Sequence, residues 1–176
     1  MQELDTIESI CKRALALDAE SEQARQDNDE ERGTKIYEEL ISALAPKAEQ
    51  IANTTKDNKA FAHFAHGIVL RVLRLYEDAL ASFQLSLVER PNIENTLLEI
   101  TMCLGQLNRH EEAELYARRC VVISPQSGSA WGNLAMVLIQ LNQKAEAFDS
   151  ISKAVTLDPY DSKFRYIADH FNQYFR

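Results

Sequence analysis

The sequence predicts an all-α fold, a right-handed solenoid of three helix pairs, and three observations carry that prediction. Residues of the same type recur every 34 positions along the second half of the chain. Apolar residues within each repeat follow three- and four-residue steps, which places them on one face of a helix. Glycine and proline are scarce, at 5 and 4 of 176 residues, whereas a β-sandwich needs turn residues roughly every 8 to 12 positions.

The 34-residue step appears in several columns of one register, so a chance origin is excluded. The columns hold proline, alanine and leucine in three successive copies: Pro91, Pro125, Pro159; Ala79, Ala113, Ala147; Leu70, Leu104, Leu138. Such a period is the mark of a repeat array, in which each unit buries its apolar face against its neighbour.

One unit, residues 128–161, shows how each repeat forms a helix pair. Its first helix carries a stripe that contains Trp131, Leu134 and Leu138, and a polar break follows at residues 142–144. A second stripe precedes Pro159, which lacks the amide that a helix interior requires. Small residues in both helices let them pack closely.

This pattern resembles the tetratricopeptide repeat, with tryptophan, leucine and a small residue in the first helix and alanine, a large apolar residue, alanine and proline in the second. The match is best in 128–161 and extends to 60–93 and 94–127, a little under three fifths of the chain. Residues 1–57 are expected to form amino-terminal helices, either a cap or a degenerate repeat with a kink or break at Pro46. Residues 162–176, with an apolar stripe of Phe164, Ile167, Phe171 and Tyr174, are expected to form a capping helix.

The resemblance implies that the first helix of each pair lines a concave groove that binds a peptide. The groove residues that it implies are Phe61, Phe64, Ile68, Arg71, Asn95, Leu98, Met102, Gln106, Asn133, Met136, Ile139 and Gln140, with Ser129 and Gly132 beside them. This surface is expected to be mainly apolar. Some members of the family hold the carboxy-terminal tails of heat-shock chaperones in a clamp of lysine, arginine and asparagine, and Arg71 and Asn133 alone are too few for that clamp.

An exposed apolar groove predicts that something covers it. Three coverings are open at this point: the protein's own amino-terminal helices, a partner's helix or extended peptide with an apolar segment, or a second copy of the chain in a homodimer. The predicted function is therefore a protein-interaction module, a scaffold or adaptor. One alternative is a chaperone similar to those of type III secretion translocators, on the basis of size, charge and architecture. The other is a structural or homodimer assembly protein.

Composition and motifs argue against other classes. The net charge of −8 disfavours nucleic acid or an anionic membrane as partner. Three widely spaced cysteines fit a reducing cytoplasm, which is the predicted location. His63 and His66 could face one metal ion, but both align with core positions of the repeat and no further ligand has a suitable spacing. No phosphate loop or catalytic motif is present, so we expect no enzyme activity, no metal and no cofactor.

Overall fold

All regular structure in the described part of the chain is helical, which confirms the predicted all-α class. The computed structural model describes residues 2–175, with side chains from residue 6 onward. The α-helices are α1 (Gln2–Gln26), α2 (Glu30–Glu39), α3 (Ala45–Thr54), α4 (Lys59–Val72), α5 (Tyr76–Glu89), α6 (Glu94–Gln106), α7 (His110–Ile123), α8 (Gly128–Gln140), α9 (Lys144–Leu157) and α10 (Ser162–Asp169). A 3₁₀ turn, Phe171–Phe175, follows α10. The chain divides into two compact units, Met1–Pro91 (unit 1) and Asn92–Arg176 (unit 2).

The turn between the two helices of each pair reproduces the 34-residue period in the backbone. Arg74, Asn108 and Asn142 have positive φ angles of 62°, 58° and 57°. The backbone amide of each donates to the carbonyl oxygen three residues earlier, and the next amide donates to the carbonyl oxygen five residues before it. This pair of hydrogen bonds is typical of a helix that ends in a left-handed residue. Asn28, between α1 and α2, has φ 54° and the same bonding pattern. The amino-terminal hairpin therefore uses the same turn as the repeats.

In unit 1, this hairpin packs against the first regular helix pair. Both α1 and α3 contact α4, and α4 packs along α5. Ile7 of α1 forms a buried cluster with Ala62 and Ala65 of α4, whose small side chains allow the two helices to approach closely. Gly67 lies directly beneath the ring of Phe83, which is fully buried.

The predicted break at Pro46 is a local distortion of a segment that stays helical from residue 30 to residue 54. A π-helical turn, Leu40–Leu44, separates α2 from α3, and Pro46 stands in the first turn of α3. Proline is tolerated there because the first amides of a helix lack partners within it. Leu40 and Leu44 still face the core, at 2% and 8% exposure.

In unit 2, α6 packs on α7 and α8 on α9, and α7 also packs on α8. The fully buried side chains include Leu97, Ile100, Leu104, Leu138 and Ile151, at the positions that the repeat assigns to the core.

Trp131 was expected in the internal core and is only half-buried. Its Nε1 donates to the carbonyl oxygen of Pro125 at 2.9 Å, and the ammonium group of Lys153 lies 4.0 Å from its ring centroid. The indole needs a hydrogen-bond acceptor, and that requirement holds it at the edge of the core.

The last helix, α10, has one buried and one exposed face. Phe164 and Ile167 are buried, and α10 contacts α9. Arg165 and Asp169 on the other face are exposed, so this face is solvated. Phe171 is 4% exposed and packs edge-on against Phe148, with ring centroids 5.3 Å apart. Across residues 2–175, no helix combines the length and hydropathy that a membrane crossing requires.

Candidate functional site

A cavity of about 320 Å³ lies in unit 2 between the facing sides of α6 and α8, with one side chain from α10 at its rim. Its lining residues are Thr101, Met102, Gly105, Gln106, Asn108, His110, Asn133, Met136, Val137, Gln140 and Lys163. We call this cavity the α6–α8 pocket.

The pocket brings together five of the residues that the sequence proposed for a groove. Met102 and Gln106 come from α6, and Asn133, Met136 and Gln140 come from α8. The methionines are 34 positions apart, and so are the glutamines, so consecutive repeats present a thioether and a carboxamide at the same two places. A four-residue step puts each pair on one helix face.

Other proposed groove residues of unit 2 lie outside the pocket lining. Asn95 is exposed, whereas Leu98 and Ile139 are half-buried. Gly132 was expected to face the groove, and this expectation is corrected: it is buried beneath the ring of Phe164. Only a residue without a side chain leaves room for that ring.

The proposed groove residues of unit 1 contact the unit's own helices. The Phe64 ring lies between Phe61 and Phe83, at centroid distances of 6.1 and 5.6 Å, and Ile68 is 1% exposed. Arg71 pairs with Asp18 of α1, with Nη1 and Oδ2 3.2 Å apart. Helix α1 therefore provides contacts on this side of α4 within unit 1.

Six lining residues were absent from the proposed groove, and two of them, His110 and Lys163, carry basic side chains. His110 begins α7 directly after the left-handed turn, and its Nδ1 is buried with no hydrogen-bond partner among the residues described. Lys163 belongs to α10, which the sequence predicted only as a cap. Extending the repeat register by one unit would have found Lys163, because Asn95, Ser129 and Lys163 form one 34-residue column.

The lining exposes more apolar than polar surface, but it also contains several polar groups. Beside Met102, Met136 and Val137 it holds carboxamides, a hydroxyl, an imidazole and an ammonium group. None of these lining residues is acidic, although the whole chain carries 27 acidic against 19 basic residues. The pocket can therefore accept and donate hydrogen bonds beside an apolar surface, and its one formal charge is positive.

The titratable groups elsewhere have structural explanations. Nδ1 of His66 lies 3.1 Å from the hydroxyl oxygen of Ser82, and burial lowers the pKa of His66 and also that of His63. Burial raises the pKa of Cys120 to about 11, which makes its thiol a poor nucleophile near neutral pH. No group of three or more potential metal ligands occurs in residues 2–175.

The repeat register has counterparts in known proteins. The family model described as tetratricopeptide repeat matches residues 128–161. A curated relative, the tetratricopeptide repeat-containing protein trd-1 of Caenorhabditis elegans, is 28% identical over 99 residues, which are 56% of this chain and 13% of that protein. The chain thus spans only about an eighth of the length of this relative.

Solved structures share the fold at low sequence identity. The first tetratricopeptide-repeat domain of Spaghetti (RPAP3), bound to an HSP90 peptide, superposes with a TM-score of 0.64 at 14% identity and covers 68% of this chain and 94% of that one. MamA from Desulfovibrio magneticus RS-1 superposes with a TM-score of 0.61 at 19% identity and covers 92% of this chain and 93% of that one. The tetratricopeptide-repeat domain of Sgt2 from Aspergillus fumigatus covers 65% of this chain and 78% of that one, with a TM-score of 0.63 at 14% identity.

Proposed function

Because this chain is a tetratricopeptide-repeat protein, we propose that it is a protein-interaction module in which the α6–α8 pocket binds a short segment of a partner protein. The segment places an apolar side chain against Met102 and Met136 and pairs its main chain with nearby carboxamides. The proposal gives the protein the role of a scaffold or adaptor and assigns no catalytic step to any residue.

One observation carries the proposal: the carboxamides of Gln106, Asn133 and Gln140 meet in a concave site without hydrogen-bond partners among residues 2–175. A carboxamide offers both a donor and an acceptor, which is the complement of a peptide main chain. Methionine is flexible and polarisable, so it adapts to apolar side chains of different shape. Together these groups suit a peptide better than a rigid small molecule.

The comparisons support this function at the level of the fold. The Spaghetti domain of similar fold is described with a bound HSP90 peptide. Its identity to this chain is 14%, so the residues of the pocket and the partner segment are proposed here from this chain's own side chains.

A homodimer through the aromatic last helix would use a surface other than the α6–α8 pocket. Phe171, at 4% exposure, is part of the interior, whereas Tyr166 and Tyr174 are 58% and 43% exposed. A dimer through the last helix would therefore rest on these two tyrosines and would leave the α6–α8 pocket free for a peptide.

The test selects peptides that bind the chain and requires no assumption about which protein is the natural partner. A random dodecapeptide library displayed on phage is selected against the full chain, and the enriched peptides are measured against two double variants. Met102→Ala/Met136→Ala truncates the apolar patch, and Leu115→Ala/Val122→Ala truncates two side chains of α7 that are 70% and 78% exposed outside the pocket.

We expect the methionine double variant to weaken binding by about 30-fold, because losing ~40 Å² of apolar contact at each site removes about 2 kcal/mol in all. The α7 double variant should bind as the unchanged chain does. Equal loss in both variants, or in neither, would mean that the selected peptides bind elsewhere.

A further inference from the structure

The α6–α8 pocket carries a positive charge, although acidic residues outnumber basic ones in the chain as a whole. Lys163 is its only formally charged lining residue, and the structure shows no ion pair or hydrogen bond of its ammonium group within residues 2–175. The chain as a whole has a net charge of −8, whereas the charge at this concave site is positive.

The position of Lys163 is fixed by its neighbours along the chain. The carboxylate of Asp161 accepts hydrogen bonds from the backbone amides of Lys163 and Phe164, at 2.8 and 3.0 Å, and so caps α10. Phe164 is anchored over Gly132 of α8. The two contacts hold the start of α10 near α8, and from there the side chain of Lys163 lines the pocket.

A second lining residue, on a different helix, adds a polar group to the site. Nδ1 of His110 is buried at the lining and has no partner among the described residues. A buried polar atom without a partner costs free energy that a ligand group recovers by hydrogen bonding to it. His110 and Asn133 each have a ring or amide nitrogen that can donate a hydrogen bond, so donors accompany the cation in one cavity.

We propose that the pocket selects an acidic side chain, aspartate or glutamate, inside the partner's peptide segment. Its carboxylate pairs with Lys163 and receives hydrogen bonds from His110 and Asn133, while a neighbouring apolar residue lies between Met102 and Met136. The inference rests on the proposed function and names the chemistry of its ligand. A single cation matches a single carboxylate within a chain; a terminal residue that is itself acidic would bring two carboxylates to one ammonium group.

The test compares three pools of amino-terminally acetylated hexapeptides whose other positions are random mixtures of Met, Leu and Ala. One pool has a central Glu and an amidated end, the second has Gln in its place, and the third has Gln and a free terminal carboxylate. Binding to the full-length chain is measured by shifts of its ¹⁵N amide signals. The variants are Lys163→Gln, the conservative Lys163→Arg, and Arg165→Gln, which removes an exposed charge of α10 outside the pocket.

We expect the Glu pool to bind about tenfold more tightly than the Gln pool, as one charge-assisted hydrogen bond provides. Lys163→Gln should abolish this preference, while Lys163→Arg and Arg165→Gln should keep it. Equal binding of the Glu and Gln pools overturns the inference and leaves the peptide-binding function in place, and so does a preference for the free-terminus pool. If no pool binds, the peptide-binding function fails, and the inference fails with it.

Discussion

Replacing Gly132 with alanine tests the contact that joins the last helix to the pocket. A Cβ atom built on Gly132 would collide with the Phe164 ring, whose Cδ1 would lie 2.7 Å away and whose Cε1 and Cζ would be nearer still. Phe164 is 4% exposed, so its ring has no free space into which it can turn. Gly105 is the matched control, because a Cβ there would meet nothing within 4 Å.

The two substitutions share one contribution to the free energy of unfolding and differ in a second one. Both replace a helical glycine, which stabilises by about 0.5–1 kcal/mol through the lower entropy of the unfolded chain. Only Gly132→Ala adds an overpacking cost of about 1–3 kcal/mol. Gly105→Ala should therefore raise the free energy of unfolding, and Gly132→Ala should stand about 1–3 kcal/mol below it.

Urea unfolding followed by the fluorescence of Trp131, the single tryptophan, measures this difference in unit 2. Because the displaced ring also holds the start of α10, Gly132→Ala should reduce the preference for the Glu pool that Lys163 confers. Equal stabilisation by both substitutions would show that Phe164 does not occupy the space above Gly132, and the reasoning would fail.

Three further substitutions have outcomes that follow from unit 1. Arg74→Gly should raise the free energy of unfolding by about 1 kcal/mol, because the left-handed φ of 62° is strained for arginine and free for glycine; a loss of stability in urea would contradict this. Asp18→Asn should cost about 1 kcal/mol, since the Arg71 side chain is only 13% exposed, and an unchanged circular dichroism melt would refute the contribution of the pair. Burial lowers the pKa of His66 in the folded protein, so the unfolded chain binds the proton more tightly and stability falls as the pH drops below about 6.5. His66→Gln should therefore reduce the fall in melting temperature between pH 7.5 and pH 5. An equal fall in the variant and in the unchanged chain would contradict this.

The fold could be predicted from the sequence because each 34-residue repeat of the sequence corresponds to a repeated unit of the backbone. The 34-residue columns place core leucines in corresponding helices, and the same step recurs in the left-handed turns at Arg74, Asn108 and Asn142. The kink or break expected at Pro46 was only partly correct, because a π-helical turn absorbs the distortion and the tertiary contacts of α3 keep the segment helical.

The candidate site was harder to predict, because only the analogy with the repeat family indicates which face of a helix lines a groove. The register places Met102 and Met136 at equivalent positions, and both line the pocket, but it could not show that the Phe164 ring fills the space left by Gly132. His110 begins α7 and Lys163 belongs to the last helix, and neither helix was assigned to the groove by the resemblance. These two residues reach the pocket because different helices pack together, and a pattern within one helix does not predict that packing.

The side-chain amide signals of the pocket test the central claim most directly. A peptide selected on the full chain is titrated into ¹⁵N-labelled protein, and the carboxamide signals of Gln106, Asn133 and Gln140 are followed. The account predicts that these signals shift in proportion to occupancy, whereas those of Gln23 and Gln84, exposed in unit 1, stay in place. Shifts confined to unit 1, or to the exposed face of α7, would contradict it.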